Sequence, residues 1–256
     1  MSGSLATQVG SIAGRSVKRC FKFPVVFIPP LFFPLFILAV LATGAEAATD
    51  IPGFPTDSFI TFAVGGIFVQ GAVSAATVAG GALEEDIESG LLSRLSLTPM
   101  RGSALLTGQL GSVAVLGVMM SLVFLGVGLL SGAEIEAGVA AVPVVMLLTV
   151  LMCLTFGAIG MFAALRFGAA QDVFPVALGL LFMSSMAMSR NLIEERWFEL
   201  IATYNPLSYM IEATRSLFIT GWDGEALALG VGISVAILVA AVALCASSLR
   251  KRLSGT

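Results

Sequence analysis

The sequence predicts an all-α polytopic membrane protein with six transmembrane helices, and three observations carry that prediction. Of 256 residues, 57% are hydrophobic and 11% charged, against about 25% charged in an ordinary soluble domain. Thirteen basic and 16 acidic side chains cannot clothe a water-facing surface of this size. Six apolar stretches near the roughly 20 residues that a hydrocarbon core demands run at about 23–45, 58–83, 103–131, 138–165, 173–189 and 226–249, and none contains Asp, Glu, Lys or Arg. The third observation excludes a barrel: its strands alternate apolar and polar residues, whereas Leu147 to Ala164 is apolar almost throughout, with Gly157 and Gly160 at helix-packing spacing. Residues 1–256 read as a single transmembrane domain.

Ahead of the first span, residues 5–22 read as an amphipathic interface helix. Arg15, Lys18, Arg19 and Lys22 follow the i, i+3, i+4, i+7 rule, with Leu5, Val9, Ile12 and Cys20 roughly opposite. An ordinary basic flank is the alternative. The apolar run from Phe23 to Ala42 exceeds the usual core of a cleaved leader, so it is expected to be retained as a helix, bent or delayed by Pro24, Pro29, Pro30 and Pro34. Basic residues then set the orientation. Arg15, Lys18, Arg19, Lys22, Arg94, Arg101, Arg166, Arg250, Lys251 and Arg252 occupy the N-terminus, second loop, fourth loop and C-terminus, leaving Arg190, Arg196 and Arg215 for the other side. Both termini are expected in the cytoplasm.

Two connecting segments are unlike simple loops. Residues 84–99 read as a cytoplasmic helix with an acidic start at Glu84, Glu85, Asp86 and Glu88 and an apolar ridge of Ile87, Leu91 and Leu95, ended by Thr98-Pro99. Such a ridge needs a place to bury, on a partner protein, against the bilayer or under the bundle itself. Residues 190–221 are too apolar for a solvated loop and too interrupted to span; they read as an outer re-entrant helical hairpin with Trp197, Tyr204, Tyr209 and Trp222 at the interface. Glu212 and Arg215 are spaced to pair on one face. The hairpin serves either as a gate or as a surface lid.

For a substrate path, Gln70, Ser74 and Thr77 form one polar stripe on the second span, open to two readings: cargo contact or interhelical hydrogen bonding. Phe182 and Met186 on the fifth span offer a soft apolar wall, or simple packing. An uncharged path suits hydrophobic or amphipathic cargo. Histidine is absent, which removes the commonest general base and metal ligand; no metal site is expected. The same lack leaves Glu84-Glu85 without the partners of an intramembrane protease. Cys20, Cys153 and Cys245 lie far apart and read as small buried hydrophobes. A net charge of −3 without a basic tract argues against nucleic acid.

Glu85 through Gly108, with Gly90, Leu92, Arg94, Leu95, Thr98-Pro99 and Arg101, resembles the coupling-helix segment of type 2 ATP-binding-cassette permeases, in particular the daunorubicin-resistance kind. Asn205-Pro206-Leu207-Ser208-Tyr209, followed by Glu212, Arg215 and Gly221, resembles that family's second hallmark. Gln109 stands where a lysine is common, and the prolines often found before the hairpin are missing from Ser184 to Glu195. The resemblance implies an exporter subunit in a bacterial inner membrane. Its coupling helix, through Glu85, Ile87, Glu88, Gly90, Leu91, Arg94, Leu95 and Pro99, would dock on a separate ABC ATPase. It also implies a second permease, identical or paralogous. ATP and Mg would be bound by that ATPase, with no cofactor held directly. Independently, the three lysines Lys18, Lys22 and Lys251 lie in no P-loop context, and no span carries an acid for a coupling ion. The latter disfavours the alternative, a gradient-driven transporter of small hydrophobic molecules.

Overall fold

The computed structural model describes residues 28–44, 46–90, 102–186, 188, 192–193 and 195–254. Among them every regular element is helical: α1 Ile28–Gly44, α2 Phe59–Glu88, α3 Gly102–Leu130, α4 Val142–Phe167, α5 Val173–Phe182, α6 Arg196–Tyr204, α7 Pro206–Ile219 and α8 Gly224–Ser254. Short 3-10 turns cover Glu46–Asp50, Val139–Ala141 and Ala170–Asp172. Phe59–Glu88, Leu105–Leu130, Val139–Phe167 and Gly224–Arg252 are long and apolar enough to cross a membrane, while Ile28–Gly44 and Ala170–Phe182 are shorter apolar helices.

Helix α2 is the axis of the bundle. Ser58 caps it by accepting a hydrogen bond from Thr61 N–H at 3.4 Å, and the next turns bury almost every side chain among α1, α3, α4, α5 and α7. Small residues make this possible. A Cβ on Gly160 of α4 would overlap the Ala76 carbonyl oxygen, and one on Gly80 of α2 would stand 2.7 Å from the Gly160 carbonyl oxygen. The two backbones therefore pack without side chains between them, as helices do where a hydrophobic drive from water is missing. Gly71 likewise receives the ring of Phe124 from α3. Helix α8 lies at the margin, with Val231, Val235 and Val239 exposed along one stripe. Its ties to α4 are Thr155 Oγ1 to Ser234 O (3.1 Å), Cys245 Sγ to Ala158 O (3.2 Å) and Arg252 Nε to Leu165 O (2.7 Å), the last placing a cation at the C-terminal carbonyls of α4.

The fifth span is shorter than the expected 173–189. Its helix stops at Phe182, and ten residues at about 1.5 Å each cannot cross a bilayer. Physically, Ser184 turns its hydroxyl back onto the Leu181 carbonyl and accepts Met186 N–H at 3.3 Å, so side chains replace the next helical bonds. The second boundary also moves. Residues 84–88, expected to open a separate helix, continue α2 without a break, because Ala82-Leu83-Glu84-Glu85 contains nothing that interrupts a helix. The helix ends at Ser89, followed by Gly90 at φ +71, a conformation glycine adopts freely. Residues 91–99 of that segment, the 5–22 interface helix and the first residues of the first span lie outside the described residues. The remaining spans agree within a few residues with α3, α4 and α8.

Candidate functional site

At the Ser58 end of α2, polar groups converge on the break after α5. Arg215 of α7 is 7% exposed, and its guanidinium donates from Nε to Phe62 O (3.0 Å), from Nη1 to Ser185 O (2.9 Å) and from Nη2 to Met186 O (3.1 Å). Its central carbon lies 3.7 Å from the centroid of the Phe62 ring, within cation–π range. Glu212, one turn earlier, acts on it through charge, and these three hydrogen bonds go to backbone carbonyls. The Ser185 and Met186 carbonyls are available because the helix has already ended at Phe182, whereas Phe62 O lies in the first turns of α2. The approach is tight: a Cβ on Gly65 would lie 2.8 Å from Arg215 Cβ, and one on Gly66 would lie 2.9 Å from Met186 Cγ.

The Asn205-Pro206-Leu207-Ser208 run does two jobs at this junction. Asn205 Oδ1 accepts Leu207 N–H at 2.9 Å, capping α7, and Pro206 occupies the first turn, where its missing N–H costs nothing. From the same side chain, Nδ2 donates to Leu180 O at 2.6 Å, and Ser208 Oγ accepts Ser185 N–H at 3.1 Å. Thus α7 starts by satisfying the end of α5. Its other end is held by the loop before α4, with Ala137 N–H on Leu217 O (3.1 Å) and Trp222 Nε1 on Ala137 O (3.1 Å). Tyr209 is half-buried, and its carbonyl faces Gly230 of α8.

One face of α2 runs from this junction to the opposite end. Gly66 holds Met186; one turn on, Gln70 is fully buried and neither its amide oxygen nor its nitrogen has a hydrogen-bond partner among the described residues. Ser74 is buried and bonds back to Gln70 O at 3.3 Å, whereas Thr77 is exposed. The predicted stripe is therefore split, two members inside the bundle and one outside. Met186 is 3% exposed and Phe182 50%, so they do not share one wall.

At the Glu88 end, two carboxylates tie α2 to its neighbours. Glu84 Oε1 accepts Ala170 N–H at 2.7 Å, at the start of the turn leading into α5, and Asp86 Oδ2 accepts from Gln109 Nε2 of α3 at 2.9 Å. Gln109, where a lysine is common in the resembled family, is a neutral donor to Asp86. Glu85 and Glu88 are exposed, and Ile87 and Gly90 are half-buried. Leu91, Arg94, Leu95 and Pro99 lie outside the described residues. In the sequence Glu84 and Asp86 stand out only as part of an acidic helix start, not as ties to neighbouring elements, and Ser185 and Phe62 do not stand out at the other end. Adjacent serines late in an apolar span were the available signal for the break. Among the described residues no cluster of His, Cys, Asp or Glu fits a metal ion.

A family model described as "ABC-2 type transporter" matches residues 7–219. The chain is also similar to the daunorubicin resistance ABC transporter permease protein of Streptomyces coeruleorubidus, with 27% identity over 212 residues, covering 79% of this chain and 72% of that protein.

Proposed function

Because the chain belongs to the ABC-2 type transporter family, we propose that it is the permease subunit of an ATP-driven exporter, providing the path for a hydrophobic or amphipathic, drug-like or lipid-like substrate. Members of this family are transmembrane subunits that work with a separate ATPase, in a generally dimeric arrangement. On this reading ATP and Mg bind the partner ATPase, and the Glu88 end of α2 faces the cytoplasm. The observation that carries the proposal is the construction of that end. Exposed Glu85 and Glu88 and half-buried Ile87 are offered on a helix whose next-door carboxylates already grip α3 and α5. A docked partner would thus push on a connected frame rather than on a loose loop. Charges on the long helices are confined to their ends, and this uncharged middle supports an apolar cargo.

The test is to purify the membrane-extracted complex with its ATPase and measure composition and hydrolysis together. Two permeases, identical or paralogous, with two ATPase copies are expected by native mass spectrometry, and hydrolysis should respond to apolar amphiphiles. A transport-active particle holding one permease would overturn the paired arrangement.

Orientation has its own measurement. Asp50 and Glu134 are both exposed at the Ser58 end, where Glu134 N–H meets Thr61 Oγ1 at 3.4 Å. Single cysteines at these positions, in a background lacking Cys20, Cys153 and Cys245, should react with an impermeant thiol reagent from outside the cell. Reaction only after permeabilisation would invert the topology.

A further inference from the structure

A charged side chain holds the segment on each side of the short helix α5, one at its start and one at the turn that follows it. At its start, the Glu84 carboxylate of α2 takes the Ala170 N–H, one of the donors that every helix start leaves without an internal partner. At its far end, the Arg215 guanidinium takes the Ser185 and Met186 carbonyls and, with its remaining nitrogen, the Phe62 carbonyl of α2. An anion at the amino end suits the helix dipole, while Arg215 fixes the Met183–Met186 turn into which the carboxyl end runs. Both grips refer α5 to α2, one near each end of that helix. Between them the segment from Ala170 to Phe182 is helical throughout, roughly 20 Å long at 1.5 Å per residue. Its outward side is loosely held, with Val176, Leu180 and Phe182 exposed.

A stiff body fixed at its two ends and free along one side transmits displacement from one end to the other. We infer that Glu84 and Arg215 are positioning residues that make Ala170–Met186 a strut, carrying movement of the Glu84–Glu88 turn to the Met186 side chain seated on Gly66. On this inference Met186 closes the Ser58 side of the path above Gln70, whose amide has no hydrogen-bond partner among the described residues and lies one turn further in. This rests on the permease reading, in which the Glu88 end receives the ATPase. Linkage makes the coupling reciprocal: what loosens one end must be felt at the other.

The experiment places Gln70→Cys in a background lacking the three native cysteines and measures its modification by an impermeant thiol reagent added from the Ser58 side. Glu84→Ala, which touches only the opposite end, should speed labelling about tenfold, the shift expected when one hydrogen bond to a charged group is lost. Glu84→Gln keeps an acceptor without the charge and should give a smaller rise. Met186→Ala opens the seat while leaving both grips intact and should speed labelling at least as much as Glu84→Ala. A local cap with no reach would leave labelling at the parent rate in both Glu84 variants while Met186→Ala raises it, and that result overturns the strut. An unchanged rate in Met186→Ala overturns the closure itself. If Glu84→Ala is not recovered from membranes, Glu84→Gln decides. Co-purification of the parent with its ATPase is scored separately: its failure refutes the permease reading without altering the labelling comparison.

Discussion

Valine in place of Gly160 is expected to leave little or no folded protein to extract from the membrane. Any side chain there enters the Ala76 carbonyl oxygen of α2, and that neighbour is backbone in the middle of the most buried helix, so nothing can rotate aside. Overpacking against movable side chains costs about 1–3 kcal/mol; against a fixed carbonyl the loss should exceed the upper figure. The fraction of monodisperse protein after detergent extraction, and its melting temperature, measure the effect. Gly126→Ala is the matched comparison, since nothing lies within 4 Å of a Cβ built there; it should change stability by no more than about 0.5 kcal/mol. Equal behaviour of the two variants would mean that α2 and α4 do not touch backbone to backbone.

Aspartate in place of Leu91 or Leu95 should leave the permease inserted and its ATPase unresponsive. Ile87, half-buried at the last turn of α2, begins a four-residue spacing that Leu91 and Leu95 continue, and on the proposed function that ridge is what the ATPase covers. Each fully buried apolar side chain contributes about 1.5–3 kcal/mol, so association should weaken roughly ten- to a hundredfold. Glu85 is exposed, and Glu85→Ala should do less, because a rim charge sets approach and register more than affinity. Association and substrate-stimulated hydrolysis are measured on each variant with its ATPase. Normal values for both Leu91→Asp and Leu95→Asp would remove this segment from the coupling role.

The long helices were legible because lipid imposes a simple demand, length and absence of charge, and α3, α4 and α8 meet it between polar boundaries. Glycines at helix-packing spacing were legible too: Gly157 meets Val113 and Gly160 meets Ala76. What was not legible depends on groups distant in the chain. The stretch through Ser189 carries no charge, and Ser184-Ser185 is the one local hint that the helix stops at Phe182; what completes the break is distant, the Ser185 and Met186 carbonyls being taken by Arg215 and Leu180 O by Asn205. The same distance explains Arg215: its spacing from Glu212 on one helix face says nothing of the hydrogen bonds it makes to α2 and to the turn after α5. The end of the second span was placed at the first charge, yet a helix does not end where hydrophobicity ends. Glu84 remains in α2 and turns to Ala170. For the polar stripe, periodicity could not say how far along α2 the neighbours extend: residues 61–76 are buried on every side, so Gln70 and Ser74 are enclosed while Thr77 emerges.

The central position of α2 bears on how the protein is made. It is the least apolar of the four long helices and the one most completely surrounded, yet only α1 precedes it in the described chain. During synthesis it must enter the bilayer before α4, α5 and α7 exist to enclose it, carrying Gln70 and a run of glycines that lipid tails cover poorly. Arg215 emerges later still, and the Phe62, Ser185 and Met186 carbonyls that receive it come together only when α2, α5 and α7 have converged. Insertion and folding are therefore separate events in this chain. The helix delivered early is enclosed only by later neighbours, and the arginine can reach its three carbonyls only once those segments have been made.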